Sequence, residues 1–188
     1  MDNLKRPNVI IIISLFLFFF SLYVYTAVPS VYSWDTGEIA ASINSLGLAH
    51  PTGFPLLMLT GKLFSLAVPI GEVAFRLNLF SSVLTALSVV FLFFTFRNLN
   101  ISKDISIASS FIFGFGQTIW NHAGTANVYS LSLLFVSILF FVFSKWQQGK
   151  EIKFVYWCSF IFGLSFGTHI LMVSLLPLLM LMLWETRQ

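Results

Sequence analysis

Four long stretches of this chain carry no charged residue. They run from Pro7 to Trp34 (28 residues), Leu77 to Phe96 (20), Ile105 to Ser144 (40) and Phe154 to Trp184 (31). A helix needs about 20 mainly apolar residues to cross a bilayer. Such stretches predict an all-α, polytopic membrane protein, with lipid as the solvent over most of the length. Composition agrees where it matters. Charged residues make up only 9% of the chain, against about 25% in a soluble domain. The net charge of +3 is small and dispersed, which argues against a nucleic-acid or other polyanion partner. The single Cys158 excludes a disulfide or Cys-based zinc framework and reads as inert packing in an apolar helix.

About six transmembrane helices are expected. The first stretch has Lys5 and Arg6 at its start, but its apolar core is too long for a signal peptide, so it reads as a retained helix. The 40-residue stretch is interrupted by Gln117, Asn121, His122, Gly124 and Asn127 and reads as two helices joined by a polar hairpin. The last stretch holds Gly163, Gly167, Thr168 and His169 and reads as two helices meeting at Thr168–His169, with one long tilted helix as the alternative. The segment from Phe54 to Val68 is shorter and contains Lys62, as an interfacial or re-entrant helix would. Residues 1–188 form one transmembrane domain, and 29–76 are a first extracytoplasmic loop with short helices. The five Trp residues fall near span ends and read as belt anchors.

Basic residues set the orientation. With a cytoplasmic N-terminus, Lys5, Arg6, Arg97, Lys103, Lys145, Lys150, Lys153 and Arg187 lie inside, eight of the ten. Asp35, Glu38, His50, His122 and His169 then converge on the extracytoplasmic face.

The first loop opens with Ser33-Trp34-Asp35-Thr36-Gly37-Glu38. At i and i+3 of a helix, Asp35 and Glu38 share a face, so one is a candidate general base and the other its partner. Asp-x-x-Glu also fits a capping box, and two carboxylates on one turn leave a divalent cation possible. His50-Pro51-Thr52-Gly53-Phe54-Pro55 is a rigid turn that starts a helix. It holds His50 as a phosphate or hydroxyl partner, or simply as part of the turn. Lys62 and Arg76 either bind phosphate or snorkel to headgroups; Asn78 accompanies Arg76. Asn127 and Tyr129 form a second polar cluster, where Thr125 or Asn127 also suits a helix cap. His169 either lines a site or satisfies freed backbone. No Walker loop, GxGxxG, HExxH or Ser-His-Asp order is present, which leaves an ATPase or a soluble nucleotide-sugar enzyme unsupported.

Several of these runs together resemble one family. They are Ser-Trp-Asp35-Thr-Gly-Glu38-Ile-Ala-Ala, Leu-Gly-Leu-Ala-His50-Pro-Thr-Gly-Phe-Pro, Gly61-Lys62-Leu-Phe, Arg76-Leu-Asn78-Leu-Phe, Ala126-Asn127-Val-Tyr129-Ser-Leu and Gly163-Leu-Ser-Phe-Gly-Thr-His169. The family is prokaryotic, of unknown function, and includes a eukaryotic transmembrane protein O-mannosyltransferase. Its architecture resembles GT-C glycosyltransferases. The resemblance implies a GT-C-like N-terminal transmembrane module in a bacterial inner membrane. It implies a polyprenyl-phosphate sugar donor and a hydroxyl acceptor on protein or glycan, met on the extracytoplasmic face. It implies Asp35 as catalytic base with Glu38 as its partner. His50, Lys62, Arg76, Asn78, Asn127, Tyr129 and His169 would bind substrate. The family usually has Glu where this chain has Asn127, so an acidic role there is lost. Members also carry further spans, which makes this chain an expected N-terminal part of a longer enzyme. Outside that family, a small transporter or channel and a non-catalytic scaffold or remnant are the competing readings.

Overall fold

The computed structural model describes residues 9–32 and 35–186, and among them every regular element is helical. Ser33 and Trp34, at the start of the Asp35 motif, and the terminal basic residues Lys5, Arg6 and Arg187 lie outside the described residues. The helices are α1 (Val9–Tyr25), α2 (Thr36–Ser45), α3 (Pro55–Ala67), α4 (Val73–Asn98), α5 (Lys103–Gly114), α6 (Gln117–Ala123), α7 (Tyr129–Gly149), α8 (Ile152–Ser165) and α9 (Leu176–Thr186). A 3-10 segment, Ile170–Leu175, leads into α9.

α4 and α7 form the spine, and they run parallel. At their starts Asn78 reaches the residues just before α7, its Oδ1 accepting from Ala126 N–H at 2.7 Å. At their ends Asn98 donates to Ser144 Oγ at 3.0 Å, and Gln148 donates to Asn98 O at 2.8 Å. α1 packs antiparallel to α4, its exit tied to α4 by Asn78 Nδ2 donating to Val28 O at 2.6 Å. α5 and α6 return the chain between α4 and α7. α8 and then the 3-10 segment with α9 make the last pair, closed at the far end by the Lys150–Glu185 ion pair. Six segments thus traverse the bundle in alternating directions. Two of them, α4 and α7, are by themselves long and apolar enough to cross a membrane; α1, α8 and the 170–185 segment are apolar but shorter.

Three apolar clusters hold the bundle. Phe19, Tyr23, Val89 and Phe93 join α1 to α4. Ile39, Ile43, Leu57, Leu77 and Leu84 join α2 and α3 to α4. Leu139, Trp146, Val155, Cys158 and Met182 join α7, α8 and α9. α4 approaches its neighbours closely because Ser82, Thr85 and Ser88 are small and buried. Their hydroxyls donate one turn back, to Asn78 O, Ser81 O and Leu84 O, so no polar group is left bare. The outward faces stay apolar: Ile10 on α1, Tyr156 and Phe160 on α8, and Met180 on α9 are all exposed. Exposed apolar faces of this kind suit lipid or another protein rather than water.

The chain breaks its helices where polar and glycine residues cluster, with one difference from expectation. Gln117 to His122 do not form the hairpin; they form α6, and the turn comes later, at 124–128. The break is instead at Gly114–Gly116. Phe19 packs so tightly on Gly114 that a Cβ there would sit 2.2 Å from its ring, and Tyr23 donates its hydroxyl hydrogen to Gly114 O at 2.8 Å. α8 ends at Ser165 and the 3-10 segment begins at Ile170, so the last apolar stretch is divided around Thr168–His169.

Candidate functional site

One end of the bundle opens into a cavity of about 810 Å³. Its walls come from the link after α1, the start of α2, the turn before α3, α6 with its connection to α7, and the residue just before the 3-10 segment. Asp35, His50, His122, Asn127, Tyr129 and His169 all line it. Residues far apart in sequence are brought together by a few ties. Val28 N–H donates to Gly124 O at 3.1 Å, and a Cβ on Gly124 would stand 2.9 Å from Ala27 Cα, so only glycine lets the two strands of chain meet there. Leu56 N–H donates to Gly167 O at 2.9 Å, which fastens the first turn of α3 beside His169.

The two carboxylates are not used as caps. Asp35 stands at the N-cap position of α2, but its side chain makes no capping hydrogen bond. Glu38 does not reach back to it. Instead Glu38 clamps His50, twelve residues on: His50 N–H donates to Oε1 at 2.6 Å, and His50 Nδ1 lies 3.0 Å from Oε2. The side-chain bond from His50, and then its backbone N–H, hold the Glu38 carboxyl below its ordinary range. Asp35 accepts no side-chain hydrogen bond among the described residues, and it is the one carboxylate on the cavity lining there. Asp35, Glu38 and His50 also offer three ligand atoms within 4.8 Å of one another, all on exposed residues. They are the described residues with which a divalent cation would have to work.

The turn at His50 puts an aromatic ring into the wall. His50 O accepts from Gly53 N–H at 2.8 Å, and Gly53 and Phe54 both take positive φ, 82° and 46°. For Phe54 this left-handed conformation costs on the order of 1–3 kcal/mol. It is held because the ring is 2% exposed and wedged between histidines. Phe54 meets His50 edge-on at 5.1 Å and stacks on His169 at 5.9 Å; Tyr129 also stacks on His169, at 6.0 Å, and meets His122 at 4.7 Å.

The remaining candidates lie elsewhere or act as braces. Lys62 donates to Asn44 O, and Arg76 to Ser65 O and Gly71 O; neither lines the cavity. Asn78 is buried and links Val28, Ser30 and Ala126 just behind the wall. Asn127 lines the cavity while its Oδ1 accepts from Tyr129 and Ser130 N–H at 2.8 and 3.0 Å, which caps α7. Sequence reasoning gave no chemistry to Phe54, or to Trp120, which donates to Thr26 Oγ1 at 3.0 Å and also lines the cavity. The Gly-Phe-Pro run carried the signal for Phe54; nothing in the sequence separated Trp120 from a belt tryptophan.

The family described as Protein O-mannosyl-transferase TMEM260 N-terminal domain matches residues 35–188. The chain belongs to this TMEM260 N-terminal domain family. It is 31% identical over 133 residues to Protein O-mannosyl-transferase TMEM260 of Mus musculus, covering 71% of this chain and 19% of that protein. It is 29% identical over 141 residues to Protein O-mannosyl-transferase tmem260 of Dictyostelium discoideum, covering 74% and 17%. The chain therefore spans less than a fifth of the length of these curated relatives. No solved structure matches it. The TMEM260 N-terminal domain match begins at Asp35 and so takes in both carboxylates, the His50 turn and all three histidines. Among the described residues of the cavity lining, Thr26, Val28 and Tyr32 precede it.

Proposed function

We propose that this chain is the N-terminal transmembrane module of a GT-C-type glycosyltransferase. It moves a sugar, mannose by the names of its relatives, from a polyprenyl phosphate to a hydroxyl acceptor, on protein or glycan. The six traversing segments are its spans, and the cavity opens on the extracytoplasmic side of a bacterial inner membrane. The charge pattern supports that orientation. Arg97, Lys145, Lys150 and Lys153 sit at the ends of α4 and α7 and the start of α8, at the opposite end of the bundle from the cavity.

The observation that carries the reading is Asp35. Among the described residues it is the one carboxylate on the lining of a cavity whose other polar groups are histidines, Thr, Asn and Tyr side chains, and no described group hydrogen-bonds its side chain. Its carboxylate takes the proton of the acceptor hydroxyl as that oxygen attacks the anomeric carbon. The bond from that carbon to the phosphate oxygen breaks, and polyprenyl phosphate leaves. With Lys62 and Arg76 bonded to backbone carbonyls away from the cavity, the phosphate is received by donors on the lining itself, His169 among them, acting as oriented donors. A general base of this kind contributes about 10²–10⁴ in rate.

The test is transfer of radiolabelled mannose from polyprenyl-phosphate mannose to a serine- or threonine-bearing peptide, in membranes that show the activity. Asp35→Asn should lower turnover by about 10²-fold or more and leave the thermal midpoint in place. Transfer at the parental rate would remove Asp35 from the mechanism.

A further inference from the structure

Two histidines of the cavity have the location of their ring hydrogen fixed by partners that allow no choice. Leu171 N–H donates to His169 Nδ1 at 3.1 Å. A backbone N–H can only donate, so Nδ1 is a lone pair and the hydrogen of His169 sits on Nε2. At His50 the situation is reversed. Nδ1 faces Glu38 Oε2 at 3.0 Å, and an ionised carboxylate can only accept, so Nδ1 carries the hydrogen and the neutral ring keeps its lone pair on Nε2. Phe54 stands between the two rings and fixes both planes, edge-on to His50 at 77° and stacked on His169 at 20°. Glu38 does not line the cavity and His50 does.

We infer that the cavity uses these opposite tautomers to seat the two ends of a phosphate-linked sugar, His169 Nε2–H donating to a phosphate oxygen and the His50 Nε2 lone pair accepting from a hydroxyl. The chemistry distinguishes the two partners. Ionised phosphate oxygens only accept, so they need an N–H. A sugar or acceptor hydroxyl has a hydrogen to give, and a lone pair rewards it. Two histidines in the same tautomer would offer the same group twice and would not orient such a molecule. Glu38 is then a positioning residue that acts through His50. The ligand assignment rests on the proposed function; the tautomer assignment does not.

The first measurement is nitrogen NMR of the full chain in detergent, labelled with ¹⁵N-histidine and assigned by single substitutions. The expected result is Nδ1–H at His50 and Nε2–H at His169, with Glu38→Gln converting His50 to a mixture or to the other tautomer. Identical tautomers at His50 and His169 overturn the inference alone. The second is binding of two probes, a short-chain polyprenyl phosphate and the same lipid carrying mannose. His169→Ala should weaken both by about tenfold or more, since a hydrogen bond to a charged oxygen is lost, and His169→Gln, which keeps an N–H near the Nε2 position, should restore much of it. Glu38→Gln and His50→Ala should weaken only the mannose-bearing probe, by about three- to tenfold. Equal weakening of both probes by His50→Ala would overturn the division of labour. Failure of the parent chain to bind either probe, with the tautomers as stated, would overturn the ligand assignment together with the proposed function. Loss of mannose-probe binding on chelation, restored by added divalent metal, would show Glu38 and His50 serving a cation and would overturn the positioning role.

Discussion

Asn78 is the point at which the cavity wall is tied to the spine, and its removal has a calculable effect. Its amide nitrogen donates to Val28 O at 2.6 Å and Ser30 O at 3.0 Å, and its Oδ1 accepts from Ala126 N–H at 2.7 Å. The residue is 2% exposed. Each such bond is worth about 1 kcal/mol net, and a buried group left without its partner costs about 1–3 kcal/mol. Asn78→Ala should therefore destabilise the fold by about 3 kcal/mol, about 1 kcal/mol for each of the three bonds. For a chain of this size that is a fall of about 6–12 °C in the thermal midpoint, read by tryptophan fluorescence in detergent. Asn78→Asp is the sharper test. The carboxylate still accepts from Ala126 N–H, but its second oxygen faces the Val28 and Ser30 carbonyls, which also only accept. The near-isosteric aspartate should thus destabilise more than alanine does. A midpoint within about 2 °C of the parent for Asn78→Ala, or a milder effect for aspartate, would refute the view that Asn78 braces the site.

Two further outcomes follow from the same geometry. Gly124→Ala would place a Cβ 2.9 Å from Ala27 Cα; with backbone on both sides the loss should be about 1–3 kcal/mol, seen as a lower midpoint without a change in helix content. Acid should act through Glu38. Its pKa is lowered by its bonds from His50, so the folded state binds protons less readily than the unfolded. Its contribution is complete above the unfolded value and is lost as pH falls through the folded one. The midpoint should start to drop below pH 4.5, the ordinary value, and Glu38→Gln should remove that drop; an unchanged acid drop in that variant would contradict the assignment.

Much of the architecture could be read from where charge is missing, because apolar runs and their polar interruptions are local properties. The division of the last stretch around Thr168–His169 is of this kind, as are the short helices of the first loop. The break at Gly114 was less legible, since it depends on Phe19 and Tyr23 packing against it from a helix some ninety positions earlier. The site divides in the same way. That Asp35, His50 and His169 belong to one end follows from charge and hydropathy. That Glu38 pairs with His50 does not follow from spacing, which pointed to Asp35 or to a capping box; the pairing needs the loop closed by the His50 turn. Lys62 and Arg76 were ambiguous as lone cations near a membrane, and backbone carbonyls at nearby helix ends proved to be their partners.

The tie between Leu56 N–H and Gly167 O bears on the order in which the protein is made. Gly167 emerges more than a hundred residues after Leu56, and a Cβ at Gly167 would stand 2.8 Å from Leu56 Cβ, so the two residues must approach closely. Until α8 has been synthesised and inserted, the first turn of α3 lacks its partner. Phe54 likewise lacks the imidazole it stacks on. A nascent chain halted after α7 would hold Asp35, Glu38 and His50 but not the last wall of the cavity, so the pocket is completed only after the helices that make its other walls.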